Sequence, residues 1–343
     1  MAAVSVALAL LSGVVGAGFA SGRELVRFFA LHGRMALAAV ASTLLALHLL
    51  FLRLPAQLER YGATTLVQLC RARLGRRFGA LCGVLFLLLF AITGGAMLCA
   101  CAELGALVLP VRHAYGLTLA LTLALAVPLS LRGLGALALP GAALIALLPA
   151  LLVRLLLLPA GEARFLPAMT PELPVRALLD GTAYGALNAA MLAGVLPLLV
   201  PLPSRTRRRG VRLFTLLFGA LLLCGVLVCL RHLPAVLAQP LPFVFLSRRL
   251  GRGGYLLVAA CMYAAALSTL CAMLSALMVA LDRTGLPRAA LPALLCLGFA
   301  LAGFTPLIDC GYPALGALCT GLLLVLCAPS DGRCAQKDSP SAR

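Results

Sequence analysis

Residues 12–24 read SGVVGAGFASGRE, from Ser12 to Glu24, inside the first strongly apolar stretch of the chain. Four glycines, Gly13, Gly16, Gly18 and Gly22, crowd into it, and it closes on an arginine and a glutamate. Each glycine lowers helix propensity by about 1 kcal/mol relative to alanine. A helix that crosses a membrane must satisfy its own backbone, so a weak point there needs a purpose. Close helix packing is one, since Gly18 and Gly22 have the four-residue spacing that suits it. An unwound segment that offers backbone groups to a ligand is the other.

The surrounding composition fixes the setting. The chain has 343 residues, 63% hydrophobic, with mean hydropathy +1.10 and only 11% charged. Several apolar runs reach the roughly 20 residues that span a hydrocarbon core of about 30 Å. They are continuous rather than alternating, which excludes a β-barrel and leaves an all-α polytopic membrane protein. About ten spans are expected, near 2–30, 35–54, 79–102, 114–130, 133–158, 178–203, 211–231, 254–281, 289–306 and 309–328. Residues 329–343 read as a disordered cytoplasmic tail. Ala-Gly-Phe-Ala ahead of Ser21 resembles a cleavage site, but the first basic residue is Arg23, so the segment is expected to be retained as a span.

The net charge of +18 comes from 27 arginines and one lysine. These fall mostly in short loops between spans, where they set topology, and no nucleic-acid partner is expected. With the N-terminus inside, 17 of the 28 basic residues are cytoplasmic, so both termini are placed in the cytoplasm. The 13 cysteines are scattered within spans as small apolar fillers, and no disulfide framework is expected. No zinc motif, nucleophile elbow or P-loop occurs, which argues against a membrane hydrolase or ATP-driven pump, so the chain is not expected to be an enzyme.

A shift of 176 residues lays the first half of the chain on the second. Arg73-Leu74-Gly75-Arg76 falls on Arg249-Leu250-Gly251-Arg252, Thr93-x-x-Ala96-Met97-Leu98 on Thr269-x-x-Ala272-Met273-Leu274, and Ala17-Gly18 on Ala193-Gly194. Agreement at one offset, in register with the spans, indicates an internal duplication of residues 1–158 as 178–328. Five spans per half makes the second copy inverted, a 5+5 plan common among secondary transporters. Span one and its partner, span six with its weak stretch Asn188 to Pro197, are then the expected broken helices.

The stretch VGAGFASGRELVRFF, Val15 to Phe29, resembles the N-terminal signature of the YkvI family of bacterial membrane proteins. Val15 to Gly22, Glu24, Phe28 and Phe29 fit it, and Arg23 stands where the family has glutamine. That family is similar to the amino acid–polyamine–organocation superfamily with the LeuT-type fold. The resemblance implies a small-solute site at the breaks of spans one and six, with Gly16, Ala17, Gly18, Phe19 and Gly22 on span one. Tyr184, Asn188 and Thr182, near the second break, are candidates to line it and equally candidates for buried polar contacts between helices. Thr93, the repeat partner of Thr269, is a candidate to face it from span three. The resemblance also implies a sodium site built from Ser12 and Val15 on span one with Ala265, Ser268 and Thr269 on span eight. The hydroxyls of Ser268 and Thr269 suit a hard cation, and equally suit bonds to carbonyls one turn earlier.

Glu24 is a candidate proton carrier or the partner of Arg27, and the pair is the favoured expectation. Asp180 and Asp309 fall at span ends. The functional expectation is a sodium-coupled secondary transporter of a small polar organic solute, such as an amino acid, in a bacterial cytoplasmic membrane. Proton coupling is the other ion choice, and a non-transporting sensor subunit on the same fold is the alternative. Nothing in the sequence sets the oligomeric state.

Overall fold

The computed structural model describes residues 2–131, 138–159, 174–281 and 289–328. The tail expected over 329–343, and the loop charges Arg132, Arg283 and Arg288, lie outside the described residues. Among those described, every regular element is helical, and six stretches are long and apolar enough to cross a membrane: Ala30–Arg60, Leu66–Val108, Ala114–Leu131, Ser204–Arg231, Pro242–Leu281 and Phe304–Cys327. The chain is therefore an all-α, multi-pass membrane protein. The other expected spans coincide with broken or shorter helices, which length and composition alone do not mark as crossing.

The expected first span comprises three helices, α1 (Ala2–Val14), α2 (Ala17–Ser21) and α3 (Arg23–Phe28). Gly16 is extended, at φ −91° and ψ −172°, and its N–H bonds only two residues back, to Val14 (2.9 Å). Gly22 sits at φ 81°, and a Cβ there would stand 2.9 Å from the Phe243 ring. Both the backbone angle and the space therefore demand glycine at Gly22. The long helices that follow are α4 (Ala36–Arg60), α5 (Leu66–Val108), α6 (Ala114–Leu131) and α7 (Ala138–Leu156). Helix α8 (Pro174–Met191) then gives way to tighter 3₁₀ turns at Leu192–Gly194 and Leu196–Leu199. Pro197 has no N–H to continue an α-helical ladder there.

The second part of the bundle comprises α9 (Ser204–Arg231), the short α10 (Leu233–Val236) and α11 (Pro242–Ser247), α12 (Gly251–Leu281), α13 (Ala290–Ala300), α14 (Phe304–Pro306) and α15 (Tyr312–Cys327). Lipid tails give apolar side chains no reason to leave them, so helices associate by close packing of small residues. A Cβ on Gly181 of α8 would overlap the Ala39 carbonyl of α4, and the Thr43 hydroxyl of α4 donates to the Gly181 carbonyl (2.7 Å). Gly210 of α9 lies against Val6 and the Ala3 carbonyl of α1 in the same way. Gly95 of α5 faces the Cys296 carbonyl of α13, 2.9 Å from a built Cβ. The cysteines behave as fillers: all those described are free. Large apolar side chains such as Leu216, Val279 and Leu301 point outward, as a lipid-facing rim requires.

The repeated Arg-Leu-Gly-Arg bends the chain within α5 and at the start of α12. Gly75 has φ 84° and ψ 172°, and Gly251 has φ 85° and ψ 169°. Just before each bend an arginine reaches the end of another helix. Arg73 donates to the Leu326 carbonyl (2.5 Å) and to that of Ala328, at the end of α15. Arg249 donates to the Pro159 carbonyl (3.0 Å), just past α7. Both contacts lie at or just beyond a helix C-terminus.

Nothing lies within 4 Å of a Cβ built on Gly75 or Gly251, so a methyl there meets only the backbone angle. Gly75→Ala and Gly251→Ala are each expected to cost about 1–3 kcal/mol of stability, the strain of a conformation nearly confined to glycine. Gly116→Ala, with open space and an ordinary helical backbone, should instead gain up to about 1 kcal/mol. Thermal unfolding of the purified variants checks both signs.

Candidate functional site

The break in span one positions the site. Because the chain turns at Gly22, α3 starts in a new direction, and the side chain of Glu24 in its first turn folds back toward α2. The position where Gly18 would carry a Cβ is filled by Glu24 Oε1. Any larger residue at Gly18 would evict the carboxyl group. Glu24 is only 5% exposed. Its carboxyl accepts a hydrogen bond from the Tyr184 hydroxyl of α8 (2.9 Å).

Tyr184 is held by two rings of α3's end, Phe28 (centroids 5.1 Å apart) and Phe29 (5.2 Å, edge-on). Tyr312, at the start of α15, lies within electrostatic reach of Glu24 and beside the Thr93 hydroxyl of α5. Thr93 is buried, with its hydroxyl against that of Tyr312. Five elements thus converge on one carboxyl group.

The expected Glu24–Arg27 pair does not form. The two arginines that flank Glu24 turn to other acids. Arg23 makes a two-pronged contact with Asp309, through Nε to Oδ1 (3.0 Å) and through Nη2 to Oδ2, and adds Nη1 to the Leu237 carbonyl (2.6 Å). Arg27 reaches the Asp309 carbonyl (2.9 Å) and the Asp180 carboxylate (3.4 Å), which also takes His32 Nε2 (3.1 Å). The spacing of Glu24 and Arg27 puts them on one helical face, but α3 is packed with Asp180 and Asp309 on its outer side and Tyr184 on its inner side. Asp180 and Asp309, expected only as charges at span ends, are the partners that decide this. No pattern in the sequence couples residues so far apart.

The other expected residues divide. Gly16 stands with its open side 3.5 Å from Thr269 Oγ1, so the break of span one and α12 do meet. Thr269 itself donates to the Ala265 carbonyl one turn earlier (3.0 Å), which is the bond that the sequence left as the alternative to ion binding. Ser268 is half-buried beside it. Val15 is buried, whereas Ser12 is exposed and its hydroxyl donates to the Ala9 carbonyl (2.9 Å). Ala17 opens α2. Phe19 points away from Glu24, onto Phe218 of α9 (5.7 Å). There it joins a run through Phe214 to Phe51. Asn188 donates to the Tyr184 carbonyl (2.9 Å), and Thr182 to that of Leu178 (2.8 Å). Tyr312 was not anticipated, because α15 reads as a plain apolar helix with one aromatic residue at its start.

Among the described residues no group of three or more histidine, cysteine, aspartate or glutamate side chains is placed to hold a metal ion. No family model and no curated protein matches the chain.

The close approach of Gly18 and Glu24 sets a stability test. Gly18→Ala should destabilise by about 1–3 kcal/mol, as overpacking does. Glu24→Ala should remove that cost, so a double-mutant cycle should return a coupling of about 0.5–3 kcal/mol. A Gly18→Ala penalty that is the same with and without the Glu24 carboxyl group would place the carboxyl elsewhere.

Proposed function

We propose that this protein is a secondary active transporter of a small polar organic solute, with about ten spans in a 5+5 inverted repeat of the LeuT type. The observation that carries the reading is the broken first span, which brings Gly16 and Glu24 together with Tyr184 of α8 and Thr269 of α12. A gap in the backbone ladder of a membrane helix is tolerated only where it is enclosed by protein or lines a cavity, and transporters place their solute there. The resemblance to the YkvI family points the same way.

Three features support the repeat. Gly75 and Gly251, matched by the 176-residue shift, share their unusual backbone angles. Their neighbours Arg73 and Arg249 make crossed contacts, each holding the last helix of the other half. The packing also exchanges under the shift, since α4 against α8 has its counterpart in α9 against α1, and α13 against α5 in α6 against α12. Within this plan the interruption after Met191 corresponds to the one at Val15 and Gly16.

Alternating access then has visible parts. Arg23 with Asp309, and Arg27 with Asp180, tie the far end of span one to α15 and α8 and close the site on that side. The part of span one packed on α12 is α2, beyond the break. With cytoplasmic termini this is a state closed to the outside, in a bacterial cytoplasmic membrane. Sodium, the coupling ion that the family resemblance implies, would be held by Ser12, Val15, Ala265, Ser268 and Thr269, with Glu24 as the other choice, a site of proton coupling.

Counterflow in proteoliposomes under a sodium gradient tests the function. Labelled solute should accumulate, and Ser268→Ala with Thr269→Ala should shrink the sodium dependence. Solute binding with no flux would instead identify a sensor on this fold. Topology has a separate test: single cysteines at the exposed Arg76 and Arg252, in a background without native cysteines, should label from opposite sides. Labelling from one side would end the inverted repeat. Asp309→Asn should also raise labelling of the site from outside.

A further inference from the structure

Independently of whether the chain transports a solute, we infer that the basic end of the seam between α4 and α9 binds an anionic phospholipid. Its phosphate lies among Arg205, Arg208 and Arg212, and its tails follow the exposed leucines of the two helices. Three contacts run along the seam: Leu44 against Gly219, the Phe51 ring against that of Phe214 (5.2 Å), and Glu59 with Arg207 (3.6 Å). The helices are therefore antiparallel, and the end of α4 meets the start of α9.

That start, residues 204–212, reads SRTRRRGVR, five arginines in nine residues. Gly210 packs on α1, which fixes how the helix is turned. Arg207 is buried on the α4 side and takes Glu59, while Arg205, Arg208, Arg209 and Arg212 are exposed. Among the described residues Glu59 is the one acid near this end, so the four exposed cations lack a counter-charge within the chain. The first turn of α9 has no acidic residue and no side-chain cap, and its free N–H groups add to the positive field.

The patch continues directly into an apolar surface. Arg212, Leu216, Leu223 and Leu227 follow one another at four- and seven-residue spacing, a single exposed stripe of α9. Arg208, Arg212 and Thr215 share the edge beside α4, where His48 Nδ1 meets Thr215 Oγ1 (3.0 Å). That polar pair lies about 4.5 Å deeper along the helix than Arg212, at the depth of a phospholipid's ester linkages. Beyond it Leu45 and Leu216 are exposed on the two helices. Guanidinium groups pair with phosphate oxygens, and arginine clusters at the end of an apolar helix attract anionic lipids. A zwitterionic headgroup carries its own cation, which the same arginines repel. A soluble phosphate would use the arginines and gain nothing from the leucines, so the stripe commits the site to a lipid.

The test titrates the full chain, purified in detergent, with phosphatidylglycerol and with phosphatidylcholine of the same tails, and follows the melting temperature. Phosphatidylglycerol should stabilise saturably with an affinity about tenfold higher, and the difference should shrink as salt is raised. Arg208→Gln with Arg212→Gln should fold, because both side chains are exposed, and should remove most of that preference; Arg212→Gln alone should remove part. Arg76→Gln with Arg77→Gln takes the same charge from exposed arginines of α5 and should keep it. Equal affinity for the two lipids, equal loss in the two double variants, or stabilisation by glycerol 3-phosphate as strong as by the lipid would each overturn the inference.

Discussion

The rest of the site depends on a single turn in the backbone, the left-handed residue Gly22 between α2 and α3. A continuous helix through this region would carry Glu24 and Arg27 on one face and leave them to each other. The turn separates their fates. It sends the Glu24 carboxyl group back against Gly18 and under Tyr184, and it presents Arg23 and Arg27 to acids on α8 and at the entrance to α15. Lipid offers no hydrogen bonds to the gap at Gly16, so the surrounding helices must enclose it. Here α2 packs on α12, and α8 supplies the tyrosine.

Two kinds of interaction divide the work of holding this bundle. Glycine contacts set how closely helices approach, as at Gly181 on α4 and Gly210 on α1, and they are short and rigid. Arginine contacts bind helix ends and acids through long, jointed side chains that can release. The ion pairs of Arg23 and Arg27 are of the second kind, and they sit where the proposed cycle needs an opening. The arms that end at Gly75 and Gly251 combine both kinds. A rigid glycine bend fixes the direction of each arm, and an arginine beside it ties the arm to a distant helix end.

The site mixes what satisfies a buried group with what leaves one wanting. Asn188 and Thr269 bond back to their own helices, so both are content without a ligand. The Glu24 carboxyl group, by contrast, has one hydroxyl for company.

The sequence by itself determined the membrane class, through long apolar runs that no soluble core requires. It pointed to the weak point in the expected first span, where four glycines in ten residues left helix packing and unwinding as the two readings. It carried the recurrence of Arg-Leu-Gly-Arg at one offset, but not that the glycine of each copy is a bend. These are local properties, carried by composition and by the angles a residue tolerates. Only the tertiary structure decided which way Glu24 faces, that Phe19 stacks on α9, and that Asp180, Asp309 and Tyr312 matter to the site. The reason is physical: each of those outcomes is a choice between partners supplied by different helices, and packing geometry, which no periodicity in the chain records, fixes which partner comes within reach.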